Sequence, residues 1–299
     1  MEPLDLEPAR LRAMPLPRHA EGDDKEGRGA VLVVGGSAEV PGAVLLAGVA
    51  ALRAGAGKLQ LATVRSAASG LALAVPEARV TALAETERGE IAPDAARALC
   101  GRLPRCGAVL VGPGMLDGAG AGHLVAALLG HAAEHGTPFV LDAAALHGLW
   151  ESSGPLRAGG LAGRVAITPH AGEMATLLGV PREEVLRDRL AAAREAATAL
   201  GVVVAMKGGG TFVVAPDGRE WHCGRGNVGL ATSGSGDTLA GVIAGLVARG
   251  AEVAEATAWG VFLHAEAGDR LARRTGPVGF LARELLAEIP CILAEFDVQ

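Results

Sequence analysis

The sequence predicts an α/β protein with a parallel sheet covered by helices on both faces. Two observations carry that expectation. Short, continuous apolar runs alternate with helical patterns along the chain, and strands buried on both faces read as unbroken hydrophobic runs. Half of the 299 residues are hydrophobic, yet there are 44 glycines, five phenylalanines, three tryptophans and no tyrosine. A core made of Ala, Val, Leu and Gly lets helices and strands approach closely.

The elements follow in order. Residues 1–24 form a charged, proline-bearing lead with no apolar signal core, and residues 25–299 read as one domain. Ala30–Val34 is the first strand, followed by the loop Gly35-Gly36-Ser37 and a helix near Ala43–Ala54. Lys58–Ala62 is the next strand. Ala108–Val111 runs into Gly112-Pro113-Gly114 and a helix near Gly122–Glu134. Phe139–Leu141 ends at Asp142, and Val165–Ile167 ends at Thr168-Pro169-His170. Pro181 opens a helical stretch, Arg182–Leu200, and Gly201 stands at its C-terminal cap. Val202–Met206 and Phe212–Ala215 flank Lys207-Gly208-Gly209-Gly210, and Pro216-Asp217-Gly218 marks the next hairpin turn. Thr238–Arg249 carries an apolar face of Leu239, Val242, Ile243, Leu246 and Val247. Ala240, Gly241, Ala244 and Gly245 suit it to close packing.

Composition excludes several function classes. A formal net charge of −6 argues against a general nucleic-acid binder, and the scarcity of aromatic residues removes base stacking as a main theme. No uninterrupted apolar stretch has the length of a membrane span. Cys100, Cys106, Cys223 and Cys291 form no C-x-x-C pair, which favours reduced packing residues in a soluble, cytoplasmic protein over disulfides.

The most informative stretch is Gly226–Gly241, GNVGLATSGSGDTLAG. Its glycines permit sharp turns and close approach to backbone amides, and the helix that follows offers an unpaired, partly positive N-terminus. Such a loop cradles an anion. Asp237, in the first helical turn, would repel that anion, so its presence suits a base aimed at a group attacking the phosphate. Every unusual loop follows a strand, which in an α/β sheet places the loops at the carboxyl edge where ligands bind.

Other motifs narrow the chemistry. Gly224–Gly229 matches G-x-G-x-x-G but lacks the opening βα context and an acidic residue at the right distance. No Walker A sequence, H-E-x-x-H or G-x-S-x-G is present, so zinc and triad hydrolysis have no local support. His170 reads equally as a catalytic acid or substrate contact and as a structural histidine. His264, inside VFLHAEAGD, reads as a helix-packing residue. Glu173 could cap a helix or hold a metal through water. Lys207 and its three glycines suit a turn whose amides and ammonium reach a phosphate, with a plain hairpin as the alternative.

In order along the chain, VVGGSAEVPGAVLLAGVAALRAGAGK, VGPG, LDAAAL, TPHAGE, AMKGGGT and GNVGLATSGSGDTLAG resemble the ADP/ATP-dependent NAD(P)H-hydrate dehydratase family, a branch of the ribokinase-like superfamily. The resemblance runs from about Lys25 to the C-terminus. It implies a three-layer αβα fold with a mainly parallel central sheet. The implied reaction dehydrates (S)-NADHX or (S)-NADPHX, using ADP or ATP with Mg²⁺. Ala43, Gly114, His170 and Asp237 match substrate-contact positions. Lys207, Gly208, Gly209, Gly210, Thr211, Asn227, Gly234, Ser235 and Gly236 match the nucleotide site, and Asp237 the catalytic aspartate. Glu26, Ala144, Ala171 and Ser233 depart from the family pattern; none replaces a side chain with an expected chemical role. The resemblance further implies a homo-oligomer, with a tetramer favoured, and an NAD(P)H-hydrate epimerase on a separate chain. The rival expectation is a small-molecule kinase of thiazole or hydroxymethylpyrimidine type, and a second is a non-catalytic nucleotide sensor.

Overall fold

All seven expected strands form, each within two residues of its expected ends, and the central ones are apolar runs buried on both faces. The computed structural model describes residues 2–18, 24–150, 154–157 and 160–296. Its strands are β1 (Leu4–Asp5), β2 (Ala30–Val34), β3 (Lys58–Val64), β4 (Ala78–Leu83), β5 (Ala108–Val111), β6 (Phe139–Leu141), β7 (Val165–Ile167), β8 (Val203–Met206), β9 (Thr211–Val214) and β10 (Glu220–Cys223). Among the described residues they form one sheet in the order β1-β10-β9-β8-β7-β6-β5-β2-β3-β4. From β4 to β8 every pairing is parallel; β9 runs antiparallel to β8 and to β10.

Alternation along β2 shows the three layers. Val31 and Val33 enter one buried cluster with the helices Gly42–Arg53, Ser235–Ala248 and Val253–Thr275. Leu32 and Val34 enter the other, with Gly118–Ala132, Ala171–Leu178 and Arg189–Leu200. A strand sends successive side chains to opposite faces, so an all-apolar strand needs a helix layer on each side. The fold is α/β with a mostly parallel central sheet.

Close packing fixes the helix that carries Asp237. A Cβ added at Gly241 or Gly245 would run into the carbonyl oxygens of Ala47 and Ala51, so the glycines let the helix Ser235–Ala248 lie directly on Gly42–Arg53. Two helix N-termini thereby come to the same edge of the sheet.

Three features depart from the expectations. The stretch Arg182–Leu200 is two helices, Arg182–Arg187 and Arg189–Leu200, broken at Asp188, whose side chain accepts from the Ala191 amide at 2.9 Å. β1, β4 and β10 were not expected as strands. They lie at or near the sheet edges, where one partner is missing and polar residues are tolerated.

The lead is also more than a charged tail. Leu6, Leu11 and Leu16 are buried in the core, β1 pairs in parallel with β10, and Trp259 Nε1 donates to the Met14 carbonyl at 2.7 Å. Leu11 has 0 % exposure, so Leu11→Ala should cost about 2–5 kcal/mol. A urea titration reads this as a lower midpoint; an unchanged midpoint would detach the segment from the cooperative core.

Candidate active site

The carboxyl ends of β5, β6, β7 and β8 deliver the polar groups. Asp142 follows β6 and is 2 % exposed. Thr168 Oγ1, after β7, donates to Asp142 Oδ1 at 2.6 Å, and Lys207 Nζ, after β8, donates to the same oxygen at 3.1 Å. Lys207 Nζ also lies 3.7 Å from Glu173 Oε2. Burial works against the Lys207 charge, but the carboxylates of Asp142, Glu173 and Asp237 outweigh it and hold its pKa above the ordinary lysine value.

The backbone around Asp142 is held tightly. Gly112 has φ of 122°, and a Cβ there would run into the Asp142 carbonyl oxygen, so the Gly112-Pro113-Gly114 loop lies directly against it. Ala143 has φ of 51° and is the sole non-glycine with positive φ among the described residues. Non-glycine residues in this region carry strain that the surroundings must hold, and such positions cluster at functional sites.

His170 is the N-cap of the helix Ala171–Leu178. Its Nδ1 accepts from the Gly172 and Glu173 amides at 3.0 and 3.2 Å, while Glu173 Oε2 accepts from the His170 amide at 2.8 Å. This reciprocal capping box uses imidazole where a short oxygen side chain is usual. With Nδ1 accepting, the neutral ring carries its proton on Nε2, and the half-exposed side chain borders the cleft. Glu173 thus combines its expected capping role with a place beside Lys207.

Asp237 is the third residue of the helix Ser235–Ala248. Burial, with the Asp142 carboxylate adding to it, pushes its carboxyl up to about 6 against the opposing pull of Lys207. That value suits a base working near neutral pH. Gly236 stands beside this group: a Cβ there would lie 3.5 Å from Lys207 Nζ and 3.8 Å from Asp142 Oδ2.

A cleft of about 720 Å³ opens next to these groups. It brings together the expected residues His170, Lys207, Gly208, Gly209, Thr211, Asn227, Ser235 and Gly236. Gly210 sits behind them and offers its carbonyl to Arg189 Nη1 at 2.7 Å. Gly234, with φ of 86°, faces Leu46 and Ala282 instead of the cleft. The Asn227 side chain ties its loop to the helix Val253–Thr275: Nδ2 donates to Asp269 Oδ1 and Oδ1 accepts from the Gly229 amide, both at 2.9 Å.

Ala43 and Gly114 form a second cluster. A Cβ at Gly114 would lie 3.0 Å from the Ala43 Cβ and 3.2 Å from the Gly36 Cα. Gly112 joins this cluster to Asp142, so the two groups of expected residues flank one acidic centre.

Two residues were missed. Asp142 received no chemical role, although a carboxylate ending an apolar strand at the carboxyl edge was a usable signal. His264 packs between helices as expected and in addition lines the cleft, where its Nε2 lies 2.9 Å from Ser235 Oγ. The cysteines are all free. No helix of the described residues is long and apolar enough to cross a membrane. Among the same residues no group of three or more His, Cys, Asp or Glu side chains is arranged to hold a metal.

Comparisons with known proteins identify the family. The sequence is 52 % identical over 286 residues to the ADP-dependent (S)-NAD(P)H-hydrate dehydratase of Xanthomonas campestris pv. campestris, covering 95 % of this chain and 94 % of that one. It is 38 % identical to the bifunctional NAD(P)H-hydrate repair enzyme of Moorella thermoacetica, covering 94 % of this chain and 52 % of that protein. Among solved structures, the ADP/ATP-dependent NAD(P)H-hydrate dehydratase of Bacillus subtilis, co-crystallised with ATP and Mg²⁺, superposes with a TM-score of 0.80 at 28 % identity over 99 % of each chain. The family profile described as NAD(P)H-hydrate dehydratase matches residues 31–291. With the glycine loop, Asp142, Asp237 and the T-P-H cap all at one sheet edge, the chain belongs to the NAD(P)H-hydrate dehydratase family.

Proposed function

We propose that this protein is an enzyme that dehydrates (S)-NADHX and (S)-NADPHX to NADH and NADPH, consuming ADP or ATP. The observation that carries the reading is Asp237: a carboxylate raised to about 6 in the first turn of a helix whose Ser235 and Gly236 line a cleft of about 720 Å³. ADP is the favoured nucleotide, as named for the Xanthomonas relative. The kinase alternative is disfavoured because the 52 % identical relative is a dehydratase over nearly its whole length.

The nucleotide lies in the cleft against the turn Lys207–Thr211 and the loop around Asn227, with its terminal phosphate at Ser235 and Gly236. The hydrated ring lies on the Ala43 and Gly114 side, bordered by His170. Asp237 takes the proton from the ring hydroxyl as its oxygen forms a bond to the terminal phosphorus, and the bond to the nucleotide's bridging oxygen breaks. Helix amides and Lys207 stabilise the charge on the transferring group. The ring nitrogen's lone pair then expels phosphate, and loss of a ring proton leaves the dihydropyridine.

The site fits Mg²⁺ carried on the phosphates. Asp142 and Glu173 supply hard carboxylate oxygens beside Gly236 and Lys207, and Glu173 could reach the ion through water. Bound there, Mg²⁺ would neutralise phosphate charge. The resemblance also supports a cytoplasmic homotetramer, which light scattering on the purified protein would check.

The test is recovery of dihydronicotinamide absorbance from hydrated NADH with ADP or ATP, alongside release of inorganic phosphate. A stable phosphoester product would instead assign a kinase, and binding without turnover a sensor. The pH dependence adds a second check. Asp237 is active when ionised and its carboxyl lies at about 6, so kcat/KM should fall about tenfold per unit below that pH. An acid limb near the ordinary carboxylate range would remove Asp237 from the role.

A further inference from the structure

The helix Ser235–Ala248 starts with no side-chain cap: Gly234 occupies the N-cap. The Ser235 amide donates to the Thr232 carbonyl at 3.2 Å, and the Thr238 amide to the Gly234 carbonyl at 3.0 Å. Gly236 and Asp237 lie between them, at the end of the helix that faces the cleft. A serine hydroxyl in the first turn of a helix competes for nearby backbone groups. Doing so here would fill the positive end that a phosphate needs.

The Ser235 hydroxyl is instead held from outside the loop. Its Oγ lies 2.9 Å from Nε2 of His264, which sits midway along the helix Val253–Thr275. Ser235 is buried and His264 lines the same cleft as Gly236 and Lys207. Burial, reinforced by the nearby Lys207 charge, pushes the imidazole down to about 4 against a Ser235 backbone contact that favours the charged form. The ring is therefore neutral at pH 7 and places no cation of its own beside the phosphates.

We infer that His264 is a positioning residue for the nucleotide: by holding the Ser235 hydroxyl, it keeps the first-turn amides open to the terminal phosphate. The inference rests on the nucleotide-dependent reading above. It makes a specific claim about coupling. Removing the imidazole matters because it releases the hydroxyl, so the effect must depend on a serine being present at 235.

A double-mutant cycle tests this, with Kd for ADP and Mg²⁺ measured by calorimetry on the full-length protein. His264→Phe should weaken ADP binding at least tenfold when residue 235 is Ser, and less than threefold when Ser235→Ala is also present. His264→Gln, which keeps a hydrogen-bonding side chain, should bind within threefold of the parent. Should His264→Phe show no cooperative unfolding, His264→Leu takes its place and the same thresholds apply. Equal losses with and without the serine would overturn the inference, as would parent-like binding by the variant. A parent that binds neither ADP nor ATP would overturn the nucleotide-dependent reading and this inference together. A parent that binds, with an indifferent His264 variant, overturns this inference alone.

Discussion

Asp237→Asn should lower turnover of the hydrate about a thousandfold, the scale of a removed general base, while ADP binding persists. Asparagine keeps the shape and loses the capacity to take the ring hydroxyl's proton. Because it also removes negative charge beside the phosphate, nucleotide affinity should hold or rise. The sign of the stability change follows from the raised carboxyl. A native carboxyl at about 6 against an ordinary 3.8 binds its proton more tightly than the unfolded chain does. Ionised Asp237 therefore weakens the native state above pH 6, and the penalty fades as pH falls through 6 toward 4. Asp237→Asn should be more stable than the parent at pH 8, by about 1 kcal/mol after allowing for solvent access, and nearly equal at pH 4. Retained turnover, or a gain in stability confined to acid pH, would contradict the placement of this group.

Lys207→Ala should produce the second large effect, on binding and stability together. The ammonium balances Asp142, Glu173 and Asp237 at one point. Removing one partner of a buried pair costs about 3–5 kcal/mol because the remaining charge is left uncompensated. Thermal unfolding should therefore begin well below the parent's, and the Kd for ADP should rise at least tenfold while hydrate affinity changes less. The acid limb should also move to higher pH, since Lys207 opposes the upward shift of Asp237. An unchanged nucleotide Kd would place the phosphates elsewhere.

The fold was largely legible because its central strands are apolar on both faces. Ala108–Val111 and Phe139–Leu141 fall where they were expected, since no other arrangement buries four or three consecutive apolar residues so economically. β4 was harder to read: Ala78–Leu83 carries Arg79 and Thr81 at the sheet edge, where solvent tolerates them. The break at Asp188 was hidden inside an otherwise helical pattern, and only the Asp188 cap on Ala191 reveals it.

The candidate site was legible where it is made of backbone. Glycine and proline loops announce themselves in sequence, so the turn at Lys207 and the loop before Asp237 were both found. What sequence did not reveal were contacts between distant side chains. Asp142 and Lys207 are separated by 65 residues, and Ser235 and His264 by 29. A histidine at mid-helix has no local signature of the hydroxyl it holds, because the partner comes from packing of the two helices. Likewise, the raised carboxyl of Asp237 depends on burial and on Asp142, neither of which a local motif reports.

The central claim is that water leaves as part of phosphate, with the ring hydroxyl first becoming a phosphoester oxygen. Labelling that hydroxyl with ¹⁸O and analysing the products by mass spectrometry tests it directly. The label should appear in inorganic phosphate, one atom for each NADH recovered. Label released into water would contradict the account, because the hydroxyl would then have left without ever bonding to phosphorus.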